Sequence, residues 1–268
     1  MKITAIIPTT EKTKDYLKLC VESLRVTVDW DIIVVSNGGD YYPLDIPGMT
    51  IRLHNKEQGQ CRAVNLGTQR ASSGTDYFFV SNDDMYYAPD WNKNLRFDDL
   101  CFSPNLIEPT NNAGSAPPFK KLDGGLTLEE FRKDIVDRYV WEAIHNREEE
   151  ETGFNLPFFI HKDVWQTIGG YDEKYDPWGS NSDTDLQTLI ELAGVTPKRL
   201  RDVLVYHFGS KSGTFEAPNQ ELWWRNFIYY TDKFGFNRDQ LGSDTWYCKD
   251  MIDWEKLKFK PDWVGKYK

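Results

Sequence analysis

The first hundred residues alternate short apolar runs with longer stretches of helical period. Residues 2–8 (KITAIIP) are β-rich and end on a proline. Residues 10–27 place Tyr16, Leu17, Cys20, Val21 and Leu24 at helical spacing. Residues 31–36 (DIIVVS) form an almost wholly β-branched run, the mark of a strand buried on both faces. That run stops at the turn sequence Asn37-Gly38-Gly39-Asp40. Residues 50–54 predict a weaker strand, and 60–71 a helix closed by Ser-Ser-Gly. Residues 77–80 (YFFV) predict another buried strand, running into Ser81-Asn82-Asp83-Asp84. Such alternation implies an α/β fold with a mostly parallel sheet and right-handed crossovers. Ligands in open α/β sheets bind beyond the carboxyl ends of the strands. The loops at 8–10, 37–40 and 82–84 are therefore expected to converge on one crevice.

The later pattern is less regular. A strand is expected over 101–108, a loop over 109–125 and a helix over 126–151, whose Arg-Glu-Glu-Glu-Glu end reads as a solvated helix face or a mobile loop. Residues 156–160 predict a strand, and 161–168 a short helix with Gly169-Gly170 behind it. Ser182 is expected to cap a helix over 183–193, with Leu186, Leu189, Ile190 and Ala193 on one face. Residues 200–208 predict a strand. From 219 onward aromatic residues crowd at partly helical spacing, and the last fifteen residues hold five Lys against one Glu and one Asp. We expect a domain over 1–215, divided into halves at 1–100 and 101–215, and an aromatic-rich C-terminal extension over 216–268.

Composition narrows the function classes. The 268 residues carry a net charge of −10, which argues against nucleic acid as a partner. Apolar residues make up 40%, enough for a sizeable core. No apolar run reaches the ~18 residues of a membrane span, and the first residues do not resemble a signal peptide. Four scattered cysteines and the lack of an N-x-[ST] sequon point to reduced thiols and a cytoplasmic protein. The Lys-rich end is compatible with a peripheral contact on an anionic membrane. No dinucleotide fingerprint, P-loop, HExxH or GxSxG motif occurs.

The chemistry-bearing residues fall at predicted element ends. Asp83 and Asp84 are adjacent carboxylates behind a buried strand; they repel unless solvated or neutralised by a cation. A divalent metal site for a diphosphate and a solvated Asx-rich turn both satisfy that pattern. Asp183 and Asp185 fall in a helix first turn, where the dipole favours a carboxylate. Two positions apart, they do not share a helix face. His207 ends a strand.

Taken in order, these segments resemble a GT-A-fold, inverting family 2 nucleotide-sugar glycosyltransferase. Ala5-Ile6-Ile7-Pro8-Thr9 resembles the family's opening strand, and residues 31–39 (DIIVVSNGG) its second strand and turn. Residues 55–59 with Asn65-Leu66-Gly67 resemble its N-x-G…N-x-G segment, and 78–84 (FFVSNDD) its strand plus DxD. Residues 159–173 resemble the approach to G-G-F-D-E; Trp178-Gly179 and Ser182-Asp183-Thr184-Asp185-Leu186 resemble W-G-E-D-x-D-L. The resemblance covers roughly residues 3–210 and implies a Rossmann-like sheet flanked by helices. It implies Mn²⁺ or Mg²⁺ held by Asp84, His207 and Asp83. It implies a nucleotide pocket of Pro8, Thr9, Asn37, Arg62, Asn65, Asn82 and Asp83, and Asp183 as the base. Trp178, Gly179 and Asp185 are the expected acceptor contacts. The implied partners are a nucleotide-sugar donor, a UDP-sugar ahead of GDP or dTDP, and a glycan or lipid-linked saccharide acceptor.

The sequence departs from the pattern at three places. Asn82 replaces the first acid of the DxD, Asn37 replaces an acid after the second strand, and Ser182 replaces Glu with two extra residues before it. These changes keep open a degenerate carbohydrate-binding module. A sugar-1-phosphate nucleotidylyltransferase is the remaining alternative, but residues 8–12 (PTTEK) lack the Gly-rich loop it requires.

Overall fold

The computed structural model describes residues 1–38, 46–56, 59–110, 119–177, 179–209, 211, 220–236, 252–253 and 255–268. The first half follows the alternation read from the sequence. β1 (Ile3–Thr9) leads through a 3₁₀ turn (Glu11–Thr13) into α1 (Lys14–Thr27). β2 (Asp31–Asn37), β3 (Ile51–Asn55), α2 (Gln60–Arg70) and β4 (Tyr77–Val80) follow. Two-residue β5 (Met85–Tyr86) and β6 (Cys101–Pro109) come next, then β7 (Lys120–Leu122), α3 (Lys133–His145) and β8 (Glu151–Thr152). The chain continues through β9 (Phe158–His161), α4 (Lys162–Ile168), α5 (Ser182–Leu192), β10 (Lys198–His207) and α6 (Gln220–Phe234).

One sheet has the order β3-β2-β1-β4-β9-β6-β10-β5, with β7 beside β6 and β8 beside β10. β1, β2, β3 and β4 run parallel, as do β6 and β10. β9 runs antiparallel between β4 and β6, so β6 and β10 point the same way as β4. The ends of β1, β2, β4, β6 and β10 thus share one edge. β9 itself departs from the all-parallel alternation: its short FFIH run is buried, and burial alone does not set strand direction.

Side chains on both faces are covered, as continuous apolar strands require. Ala5, Ile7, Val34, Phe79 and Phe159 join α1 and Val136 and Val140 of α3 in one cluster. Their strand neighbours Ile6, Ile33, Val35, Phe78, Phe158 and Ile160 join α2, α4 and α5 in the other, together with Tyr230 and Phe234 of α6. Packing of α2 on β1 is close: a Cβ on Gly67 would lie 2.5 Å from Ile6 Cγ2. Among the described residues no helix is long and apolar enough to cross a membrane.

Three expected local features differ. Residues 109–125 are not all loop, because β7 adds to β6. The acidic run lies beyond α3 and is neither a helix face nor without partners: Glu148 pairs with Lys120 and Arg201, Glu150 with Arg96 and Lys198, and Glu151, in β8, with Arg199. Cations on β10 and its neighbours collect these acids, a long-range match that local pattern does not show. Ser182 is not the cap of α5 but its first residue; Asn181 occupies the N-cap with φ 63°.

Under that acidic run sits a buried ion pair. The Asp202 side chain is fully buried and accepts from Arg96 Nη1 at 2.9 Å. Removing one partner of a buried pair leaves an uncompensated charge. Arg96→Met is therefore expected to cost about 3–5 kcal/mol in urea unfolding. Lys93→Met, which breaks the exposed pair with Asp90, is expected to cost less than about 1 kcal/mol.

Candidate active site

The sheet edge brings Asp84 and His207 together. Met85 of β5 pairs with His207 of β10, and the Phe208 N–H donates to the Asp84 carbonyl at 3.1 Å. This pairing sets His207 Nε2 3.4 Å from Asp84 Oδ1, and the Lys211 N–H donates to Asp84 Oδ2 at 3.3 Å. The other ring nitrogen, Nδ1, lies 2.8 Å from Glu108 Oε1 of β6. Asp84 and Glu108 are buried, with His207 partly so. Burial pushes Asp84 up, but the His207 charge and hydrogen bond outweigh it and hold the carboxyl below its ordinary range. Burial opposes charge on His207, yet Asp84 and Glu108 together raise its pKa to about 10. Sequence reasoning missed Glu108; its one signal was an acid inside an otherwise uncharged strand.

Asp83 points its chemistry elsewhere. Its carboxylate accepts from Thr13 and Thr9, which ties β4's exit to β1's exit. Burial, followed by the neighbouring Asp84 charge, pushes Asp83 up to about 7. In this arrangement the Asp83 carboxyl is buried and braced by the two hydroxyls. Asn82 is half-buried, and its carbonyl accepts from the Ser81 hydroxyl at 2.8 Å. Pro8, half-buried, pairs with Val35, and Thr9 is buried.

Asp183 reaches the same edge by a different route. Leaving α4, the chain climbs along α2 toward its first turn. The Tyr171 N–H donates to Asn65 Oδ1 at 3.0 Å, and Asn65 Nδ2 donates back to the Tyr171 carbonyl at 2.9 Å. Glu173 meets Arg62 at 3.0 Å, and Asp176 accepts from the Cys61 and Arg62 N–H groups at 3.0 and 3.1 Å. Asp176 therefore satisfies orphan donors at the start of α2. The fit excludes side chains: a Cβ on Gly59 would lie 2.1 Å from Asp176 Oδ2. Gly59 N–H in turn donates to Asn37 Oδ1 at 2.5 Å, fixing α2 to the end of β2. Gly179 is buried at φ 68° beside Gln60, and α5 begins three residues later.

Asp183 is half-buried and accepts from the Tyr171 hydroxyl at 2.7 Å. Burial raises its pKa to about 6, with the Tyr171 bond pulling the other way. Asp185 faces inward: it is 1% exposed and bound by the Tyr175 hydroxyl and Lys233. Asp185, expected as an acceptor contact, is thus placed inside the protein between Tyr175 and Lys233. Asn65, expected in the nucleotide pocket, bonds Tyr171 and Glu173 through its amide. Arg62 keeps a third of its side chain exposed while paired to Glu173. Trp178 lies outside the described residues.

Among the described residues no group of three or more His, Cys, Asp or Glu side chains is spaced to hold a metal ion. Asp84 and His207 nonetheless offer one oxygen and one nitrogen side by side. Glu108 stands behind the imidazole, in the position an outer carboxylate takes on metal-binding histidines. Asp84 and Glu108 flank one imidazole, and the Asp84 oxygen beside the His207 nitrogen is the kind of donor pair that divalent cations take.

Comparisons with known proteins bear on the family pattern and the fold. The family model described as Glycosyl transferase family 2 matches residues 4–96. No curated protein matches the chain in sequence. Among solved structures, the chain resembles GalNAc-T7 with UDP, GalNAc and Mn²⁺ at a TM-score of 0.57 and 14% identity, covering 93% of this chain and 53% of that one. It also resembles S. aureus TarS 1–349 at a TM-score of 0.53 and 13% identity, covering 90% of this chain and 74% of that one. The chain thus spans about half the length of the GalNAc-T7 structure. Residues 4–96 carry the glycosyl transferase family 2 pattern, and the chain as a whole takes the fold of the GT-A glycosyltransferases.

Proposed function

We propose that the chain transfers a sugar, with inversion, from a nucleoside-diphosphate sugar to a hydroxyl of a saccharide acceptor. The observation that carries this reading is the shared edge: Asp84 and His207 stand at the ends of β4 and β10, and Asp183 is brought to that edge along α2. GalNAc-T7, of the same fold, was solved with UDP, GalNAc and Mn²⁺, which supports a UDP-sugar donor and a divalent ion here.

The chemistry follows from charge. Asp84 and His207 would hold Mn²⁺ or Mg²⁺, which when bound supplies Lewis-acid stabilisation of the departing diphosphate. Asp183 takes the proton of the acceptor hydroxyl as its oxygen bonds to the anomeric carbon. The bond from that carbon to the diphosphate oxygen breaks on the opposite face, and the nucleoside diphosphate leaves with the electron pair. Tyr171 holds the Asp183 carboxylate in place through its hydroxyl. A base with a pKa of about 6 is ionised at neutral pH yet basic enough to accept a proton as the alcohol attacks.

Nucleoside diphosphate release from UDP-glucose, UDP-galactose, GDP-mannose and dTDP-rhamnose, with MnCl₂ or with EDTA, tests the reading. Release from one sugar nucleotide that EDTA suppresses is expected; no release from any, in the presence of a saccharide panel, would leave a carbohydrate-binding module instead. Asp183→Asn is expected to lower transfer by about 10²–10⁴-fold while nucleotide binding stays intact; near wild-type transfer would remove Asp183 as the base. Because Asp183 must be deprotonated to act, kcat/KM is expected to fall as pH drops through about 6. Asp84→Ala is expected to abolish the Mn²⁺ dependence of UDP binding in calorimetry, and a Mn²⁺-dependent affinity unchanged in that variant would reject the metal assignment.

A further inference from the structure

α6 lies far outside the segment that matches the family pattern, yet one of its faces is devoted to the chain that carries Asp183. Asn226, fully buried, donates through Nδ2 to the Tyr175 carbonyl at 2.8 Å and to the Ser180 carbonyl and hydroxyl at 3.1 and 3.0 Å. Arg225 donates to the Asp176 carbonyl at 2.7 Å. One turn on, the Tyr229 hydroxyl donates to Asp172 Oδ2 at 2.7 Å, and the Tyr230 hydroxyl meets Thr188 Oγ1 at 2.9 Å. A further turn on, Lys233 Nζ lies 2.8 Å from Asp185 Oδ1 and 3.0 Å from Asp172 Oδ2. Residues at this spacing share one helix face, and their partners lie between 172 and 188.

Lys233 is the centre of the contact. Its side chain is 7% exposed, and the rings of Tyr175, Tyr229, Phe234 and Phe259 lie within 6.0 Å of its ammonium. Asp185 stands in the first turn of α5, two residues from Asp183. A shift of the Asp185 backbone is therefore a shift of Asp183. Surface ion pairs of this kind contribute little, but here water is excluded and both carboxylates depend on the same ammonium.

We infer that Asn226 and Lys233 are positioning residues for the transfer reaction: through Tyr175, Ser180 and Asp185 they hold the first turn of α5, and with it the Asp183 carboxylate, against the sheet edge. The inference rests on the function proposed above for Asp183. A group misplaced by about 1 Å loses about a hundredfold in rate, so a helix with no substrate contact can govern turnover.

The test separates positioning from mere neutralisation of buried acid. In Lys233→Met, hydrogen exchange at the amides of 182–186 is expected to rise, and kcat for the sugar nucleotide that releases diphosphate is expected to drop by about 10–100-fold. UDP affinity in the presence of MnCl₂ is expected to stay within about twofold, since Asp84 and His207 are on other elements. Lys233→Met/Asp185→Asn removes the ammonium and the more deeply buried of its two carboxylates, and is expected to recover part of the thermal stability without recovering kcat. Recovery of both, or a wild-type kcat and exchange pattern in Lys233→Met, overturns the inference. Asn226→Ala, which leaves the ion pairs intact, is expected to show the same split between kcat and UDP affinity; equal loss of both overturns it too. Hydrogen exchange needs no substrate, so it tests the tether even if wild-type protein releases no diphosphate, an outcome that would sink the proposed reaction alone.

Discussion

The site depends on a seam between α2 and a stretch of chain more than a hundred residues further on. Asp176 accepts two backbone N–H groups at the start of α2, and Asn65 exchanges hydrogen bonds with Tyr171 lower on the same helix. The carboxylate also sits where the helix dipole favours negative charge. Because Gly59 N–H donates to Asn37, α2 is fixed to β2 as well. Without the seam, the sheet would still present Asp84 at its edge, but nothing would bring Asp183 there. The polar residues of α2 thus do structural duty, which is why Asn65 and Arg62 have partners within the protein.

Around this seam the fold pushes two carboxylates in opposite directions. Both lose water, which alone raises a pKa. Asp84 has His207 beside it and falls below the ordinary range; Asp183, bonded by the Tyr171 hydroxyl, rises to about 6. A low-pKa acid suits a cation, and a raised one suits proton transfer; pairs of acids driven apart by environment are how acid–base roles are assigned. Asp83 shows the third outcome: with no cation close by and Asp84 adjacent, it moves to about 7 and serves as a brace between strands.

The sequence displayed much of this frame. β-branched and aromatic runs located β1, β2 and β4 within a residue or two, because strands buried on both faces leave no polar positions to confuse the period. The direction of β9 was not legible, since a four-residue apolar run has no polarity of its own. β5, two residues long, was invisible for the same reason, although it is what places Asp84 beside His207. Asp183 and Asp185 looked alike in sequence, both in a helix first turn. Only the tertiary structure separates them, by setting Lys233 and Tyr175 against one and Tyr171 against the other. Glu108 was hidden because its partner is 99 residues away.

The two acid clusters at this edge also show how a strongly acidic chain handles local charge. Asp84 and Glu108 share one imidazole, two carboxylates against one cationic ring. Asp172 and Asp185 share one ammonium, but that ammonium belongs to the chain and is walled in by aromatic rings. Any cation that the first cluster took from solution could also leave it. A lysine cannot leave, so the second cluster keeps its geometry throughout. Under the reading proposed above, the first cluster would meet a diphosphate that arrives and departs, and the second would hold the base for the next acceptor.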